Sequence, residues 1–170
     1  MRLLRRIINK LRPQPSNYPK GMNSIVDGLD EMVEIGKNFI SAPGSIIFAH
    51  DASPITHTGK TRVEKIIIGD NVFLGANAVI LAGSIIGDGC IIGAGAIVSK
   101  TIPPNSVVAG NPAKVIMSVD EYMKKLEERN VLYDLPQSVS IKHGTGVRYT
   151  SEEVHEMNQF IVKQFNARHH

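Results

Sequence analysis

Aliphatic residues recur along this chain at an unbroken interval of six: Ile68, Leu74, Ile80, Ile86, Ile92 and Val98. A helix repeats its faces every ~3.6 residues and a strand every ~2, so a period of six belongs to neither. It is the pattern of a parallel β-helix, in which each hexapeptide supplies one short strand and one tight corner and three complete a triangular coil. The aliphatic residue points into the prism and stacks on its equivalent in the next coil. The position four further on also points inward and must be small; Val72, Ala78, Ser84, Cys90 and Ala96 occupy it. Phe73, Val79, Ile85, Ile91 and Ile97 precede the aliphatic column and fall on the alternate side of the strand. Glycine follows Ile68, Leu74, Ile86 and Ile92, which predicts corners with a positive φ that a Cβ would penalise.

A degenerate coil precedes residue 50. Ile35-Gly36-Lys37-Asn38-Phe39-Ile40 reads as Ile68-Gly69-Asp70-Asn71-Val72-Phe73-Leu74 with one residue deleted, after which Ile40 and Ile46 resume the period. Residues 51–65 are polar and break the repeat; such an excursion from a regular stack marks a functional loop. The regular coils run from about 66 to 102, where Pro103-Pro104 ends the strict repeat. Ser118-Val119-Asp120-Glu121 is a capping box opening a helix to about Arg129, and Thr150-Ser151-Glu152-Glu153 opens another through Phe165. Residues 130–149 read as an irregular connection. At the other end, Leu3, Leu4, Ile7, Ile8 and Leu11 make one face of a short helix over 2–12, followed by an extended linker carrying Pro13, Pro15 and Pro19. The expected organisation is a basic helix and linker (1–22), a β-helix domain (23–117) and a helical appendage (118–170).

Composition narrows the class. A chain of 170 residues with 42% hydrophobic content supports one core-bearing domain. One cysteine rules out an internal disulfide framework and fits the cytoplasm; Cys90, at a small inward position, reads as core. The net charge of +3 conceals an asymmetry. Residues 1–20 hold six basic side chains (Arg2, Arg5, Arg6, Lys10, Arg12, Lys20) and no acid, which leaves 13 basic against 16 acidic over the rest. The body is therefore not a nucleic-acid surface. The basic helix suits peripheral contact with an anionic membrane, or packing on the body or a second subunit.

Before the C-terminal region, His50 and His57 are the side chains that titrate near neutral pH. His50 stands where the chain leaves the coil for the loop; His57 lies inside the loop. Residues 58–142 contain no histidine, which argues against a zinc site of three or four convergent ligands on the coils. There is no glycine-rich phosphate loop before a helix and no nucleophile elbow.

The segment from Ile67 to the closing motif Val108-Ala109-Gly110-Asn111-Pro112-Ala113-Lys114-Val115-Ile116 resembles the hexapeptide-repeat acyltransferases. The nearest types are galactoside and maltose, streptogramin and bacterial polysaccharide O-acetyltransferases. The resemblance covers roughly residues 23–117. It implies an all-β solenoid, a left-handed parallel β-helix with short terminal helices, assembled as a homotrimer with the active site between subunits. It implies acetyl-CoA as co-substrate, no metal, and a direct transfer to a hydroxyl or amine in a ternary complex. His50 matches the general base. Ala76 and Ala94 match corners that offer backbone groups to the pantetheine arm; Ser99, Lys100 and Lys114 match positions near the nucleotide end. Met117 stands where several relatives carry arginine, and Phe73 where many have tryptophan. Asn23 resembles an acceptor-binding asparagine, with a one-residue difference in spacing. The expected acceptor is a sugar hydroxyl, in surface polysaccharide synthesis. The alternatives are an amino sugar, a nucleotide-linked sugar or an antibiotic. A non-catalytic structural solenoid is a further alternative, disfavoured by His50, its loop and the closing motif; a γ-type carbonic anhydrase is disfavoured by the missing histidines.

Overall fold

The computed structural model of the protein describes residues 25–26, 29–140 and 149–169; the expected N-terminal helix, its linker and Asn23 lie outside them. Twelve short strands lead into the stack and its excursion: β1 (Ile25–Val26), β2 (Val33–Ile35), β3 (Ile40–Ser41), β4 (Ile46–Ile47), β5 (His50–Asp51), β6 (Arg62–Val63), β7 (Ile66–Ile68), β8 (Phe73–Leu74), β9 (Val79–Ile80), β10 (Ile85–Ile86), β11 (Ile91–Ile92) and β12 (Ile97–Val98). Two longer ones follow, β13 (Ser106–Ala109) and β14 (Lys114–Ser118). Successive strands are dealt in rotation to three parallel sheets: face 1 is β1-β4-β9-β12, face 2 is β2-β7-β10, and face 3 is β3-β8-β11-β13, with β14 added antiparallel. In the regular coils each strand pairs with the one 18 residues on, as Ile67 with Ile85, Phe73 with Ile91 and Val79 with Ile97.

The inward register is as the period predicts. Ile68, Leu74, Ile80, Ile86, Ile92 and Val98 are all at most 2% exposed, and the small set Val72, Ala78, Ser84, Cys90 and Ala96 at most 1%. Full burial of each large aliphatic side chain contributes ~1.5–3 kcal/mol, so the column is the main cohesive element. The polar members satisfy themselves on the backbone: Ser84 Oγ donates to Leu81 O at 2.7 Å, and Cys90 Sγ to Pro103 O at 3.0 Å. Burial pushes the Cys90 thiol pKa up, in keeping with its place in the core.

Two expectations are corrected. First, the glycine after the aliphatic residue does not take a positive φ. That conformation falls two positions later, at Asn38, Asn71, Asn77, Gly83, Gly89, Gly95 and Asn105, where asparagine and glycine tolerate the left-handed region. The first glycine is required by close approach. A Cβ at Gly75 would lie 2.5 Å from Ala94 N, one at Gly87 2.5 Å from Pro104 N, and one at Gly69 2.8 Å from Asp88 N. Their own N–H groups donate to the coil above, Gly69 to Ile86 O, Gly75 to Ile92 O and Gly87 to Ile102 O. Second, no residue is deleted in the first coil. Ile40 pairs with Phe73 and Ser41 with Leu74, Ile46 with Val79 and Ile47 with Ile80. The spacing is 33 throughout, 15 more than the 18-residue return. Ile40 and Ile46 therefore belong to the outward set, and Ser41 and Ile47 are the buried residues; the apolar run Phe39-Ile40 allowed both registers.

Beyond Pro103-Pro104 the stack continues in looser form: Ile102 bridges Ile86, and Val107 pairs with Ile91 at a spacing of 16. The helices outside the coils are α1 (Ile55–Thr58), α2 (Val119–Glu128), α3 (Gln137–Ser140) and α4 (Ser151–His169). Both capping boxes form, Ser118 with Glu121 and Thr150 with Glu153. The final helix runs past Phe165, and α3 interrupts the connection read as irregular. Arg168 ties α4 to that connection, donating to Leu132 O at 2.8 Å and lying 4.3 Å over the Tyr133 ring.

The two glycine roles are separable by thermal or urea melts. Gly75→Ala forces backbone apart and should cost about 1–3 kcal/mol. Gly95→Asn should melt near wild type, since a Cβ there meets open space and asparagine already holds this conformation at Asn71 and Asn77.

Candidate active site

The 15 extra residues enter at the corner from face 1 to face 2. In the regular coils that corner is Leu81-Ala82-Gly83 and Ser99-Lys100-Thr101; in the first coil it is Phe48-Ala49-His50. The aliphatic residue here is followed by Phe48, Leu81 or Ser99, never by glycine, so side chains have room. From this corner the chain departs as a hairpin: β5 pairs antiparallel with β6, His50 opposite Val63 and Asp51 opposite Arg62, with α1 in the connection. The polar loop of the sequence is thus an ordered arm whose first residue is His50. That histidine is half-buried, with Nδ1 shielded from solvent.

Charged groups surround it. Asp51 Oδ1 accepts the Ser53 N–H at 2.8 Å. The Ser53 backbone and side-chain bonds, with the nearby Arg62 and His50 charges, hold the Asp51 carboxyl below the usual carboxylate range. Thr61 Oγ1 donates to Asp51 O at 2.8 Å, closing the arm at its base. Arg62 pairs through Nε with Glu64 Oε1, and its Nη2 donates to Ala82 O at 3.3 Å. The Glu64 N–H donates to Ala49 O at 3.1 Å. A Cβ on Gly83 would lie 2.5 Å from Glu64 Oε2, so Glu64 rests on the corner of the next coil. Asp51, Arg62 and Glu64 were not singled out from sequence. The alternation Arg62-Val63-Glu64, polar either side of an apolar residue, is the strand signal that could have found them.

The predicted residues fall into two groups. His50, Ser99 and Lys100 share the face 1/face 2 corner; His50 is in the first coil and the other two stand two coils above, about 10 Å along the stack at ~4.8 Å per coil. Ala76 and Ala94 lie one above the other on the corner between faces 3 and 1, where Gly95 N donates to Ala76 O at 2.8 Å. Lys114 opens β14 opposite Ala109, beside that same corner. The width of face 1 separates the two groups within one chain. His57 sits exposed in α1, away from the coil. Met117 pairs opposite Val107 on face 3, and Phe73 is 40% exposed on the same face. Among the described residues no three His, Cys, Asp or Glu side chains converge to hold a metal ion.

Residues 65–100 match the family described as bacterial transferase hexapeptide (six repeats). The chain is 30% identical over 139 residues to protein CapG of Staphylococcus aureus, an alignment spanning 79% of this chain and 74% of CapG. Among solved structures it is similar to a variant of AntD, an N-acyltransferase from Bacillus cereus in complex with dTDP-4-amino-4,6-dideoxyglucose and coenzyme A. That match has a TM-score of 0.52 at 21% identity and covers 65% of this chain and 64% of AntD, just under two thirds of its length. A maltose O-acetyltransferase from Clostridium difficile aligns at 26% identity with a TM-score of 0.48, over 69% of this chain and 83% of that one.

The electrostatics of the arm can be read directly. In a carbon-detected NMR titration Asp51 should have a midpoint below 3.8, and Arg62→Ala should raise it by removing a favourable positive charge. A midpoint not lowered from the ordinary aspartate value would overturn this description of the arm.

Proposed function

The chain belongs to the hexapeptide-repeat acyltransferases, and from that premise we propose that it moves an acetyl group from acetyl-CoA to a sugar hydroxyl, with His50 as general base. The observation that carries this reading is the placement of His50: first residue of an ordered arm, at the junction with the stack, partly withdrawn from solvent and beside an ionised Asp51. A nearby carboxylate favours the imidazolium that forms during the reaction. His57, exposed in α1, has no comparable support.

The reaction needs one base and one oxyanion pocket. The neutral imidazole takes the hydroxyl proton as the acceptor oxygen bonds to the thioester carbonyl carbon. Nδ1 is shielded, so the accepting atom in this reading is Nε2. Backbone N–H groups stabilise the tetrahedral oxyanion. Collapse breaks the C–S bond, the imidazolium returns its proton to the departing thiolate, and the products are the O-acetyl sugar and free CoA.

The division of the candidate residues bears on assembly. Ser99 and Lys100 share a corner with His50, whereas Ala76, Ala94 and Lys114 line the opposite edge of face 1. One extended CoA can touch both groups if one copy's face 3/face 1 corner lies against another copy's face 1/face 2 corner. We therefore propose a left-handed coil assembled as a C3 trimer, with acetyl-CoA in the groove between copies. Ser99, Lys100 and Lys114 would then lie toward the nucleotide, and the arm toward the acceptor.

The test is release of free thiol from acetyl-CoA in the presence of glucose, galactose, maltose, glucosamine or UDP-glucose. Sugar hydroxyls should support turnover; a response confined to glucosamine would make the enzyme an N-acetyltransferase instead. His50→Ala should lose roughly 10²–10⁴-fold in kcat while still binding acetyl-CoA, and His57→Ala should stay near wild type. The opposite pattern would move the base to His57 in α1. Light scattering should give the mass of three 18.6 kDa chains; a stable monomer would remove the shared groove.

A further inference from the structure

We propose that Arg62 is a positioning residue for the His50 base, strapping the arm that carries His50 to the neighbouring coil. The inference rests on the reading of His50 as the base, and deepens it.

The two strands of the arm are two residues each, and an isolated hairpin is marginal in water. Left to its own pairing, His50 would be held loosely. Three contacts lock it instead. The Glu64 N–H donates to Ala49 O, the residue before His50. The Glu64 carboxylate pairs with Arg62 Nε. Arg62 Nη2 then reaches Ala82 O. In the 33-residue register seen at Ile46–Val79 and Ile47–Ile80, Ala82 and Gly83 are the next-coil counterparts of Ala49 and His50. The strap therefore ties the base's own corner to the corner stacked on it. Glu64 occupies the space that a side chain at Gly83 would fill, so glycine at that position is what admits the strap.

Arginine suits the task because one planar fork can meet a carboxylate and a carbonyl at once; a lysine ammonium on a flexible stem cannot hold both directions. Arg62 and Glu64 are about half exposed (50% and 48%), and such pairs contribute little to global stability. Position is different: a displacement of ~1 Å in a reacting group can cost about 10²-fold in rate. The strap should thus be visible in turnover and nearly silent in melting.

The experiment compares Arg62→Ala, Arg62→Lys, Glu64→Ala, the Arg62→Ala/Glu64→Ala double variant and His50→Ala in the full chain, using acetyl-CoA and the most active sugar of the panel above. Arg62→Ala and Glu64→Ala should each lower kcat by about 10–100-fold, with KM for acetyl-CoA and the melting temperature unchanged. The double variant should lose no more than the worse single one, as expected of residues acting as a unit, and Arg62→Lys should recover little. Where Arg62→Ala does not fold, Arg62→Lys, which keeps the charge, carries the comparison. Wild-type kcat in either arginine variant, multiplicative losses in the double variant, or a loss that tracks a fallen melting temperature would overturn the strap. His50→Ala separates the two ideas. If it is inactive and Arg62→Ala is normal, only the strap fails; if His50→Ala is itself normal, the base assignment fails.

Discussion

The structure depends on the distance between one coil and the next. Main-chain N–H groups donate upward at every corner, from Gly36 to Ile68 O, Gly69 to Ile86 O and Gly87 to Ile102 O along one edge, and Gly75 to Ile92 O and Gly93 to Val108 O along another. Parallel strands bonded this way lie ~4.8 Å apart, and at Gly36, Gly69, Gly75 and Gly87 a Cβ would fall closer than 3.0 Å to the coil above. Glycine at those four positions is thus a condition of the close approach there. The ladder in turn keeps the aliphatic column in contact from coil to coil, and those side chains supply most of the cohesion.

The third edge obeys a different rule, and the candidate chemistry gathers there. At the face 1/face 2 corner the ladder is closed by Phe48, Leu81 and Ser99 rather than glycine. Leu81 N still donates to Val98 O, and Phe48 N to Ile80 O, but side chains are admitted. The 15-residue arm leaves at this edge and returns in register, so the first coil pairs with the second as the second does with the third. An insertion that starts and ends at one corner leaves every ladder bond on either side intact. The repetitive stack supplies rigidity, and the exception to the repeat supplies the histidine.

Rigidity explains why a half-exposed ion pair acquires a role it would not have elsewhere. Arg62 and Glu64 link a two-stranded hairpin, marginal by itself, to the corner of the next coil. Their value lies in geometry more than in stability, since solvent screens the pair. Asp51 adds an ionised carboxylate next to His50, held there by the Ser53 N–H. Ala76, Ala94 and Lys114, proposed above to meet CoA, stand across face 1, at an edge the arm does not reach. In the proposed trimer a ligand lying in the groove between two prisms would draw on two edges at once.

Much of this was legible in the chain. The period of six determines the strands, the inward column and the small inward set, because a coil of three equal sides buries the same positions on every turn. The capping boxes at Ser118 and Thr150 are local and read correctly for the same reason: their hydrogen bonds span three residues. The break at 51–65 located the arm and His50 with it. What the tertiary structure decided were the matters of contact between distant segments. Gly69 and Asn71 differ in role because only stacking shows which one meets the next coil and which one turns the chain. Ile40 or Ser41 could each have faced inward, and pairing with the second coil chose Ser41. The union of Arg62, Glu64 and Ala82, and the separation of Ala94 from Lys100, arise from how the corners stack and where the arm folds back. No pattern confined to one strand carries that information.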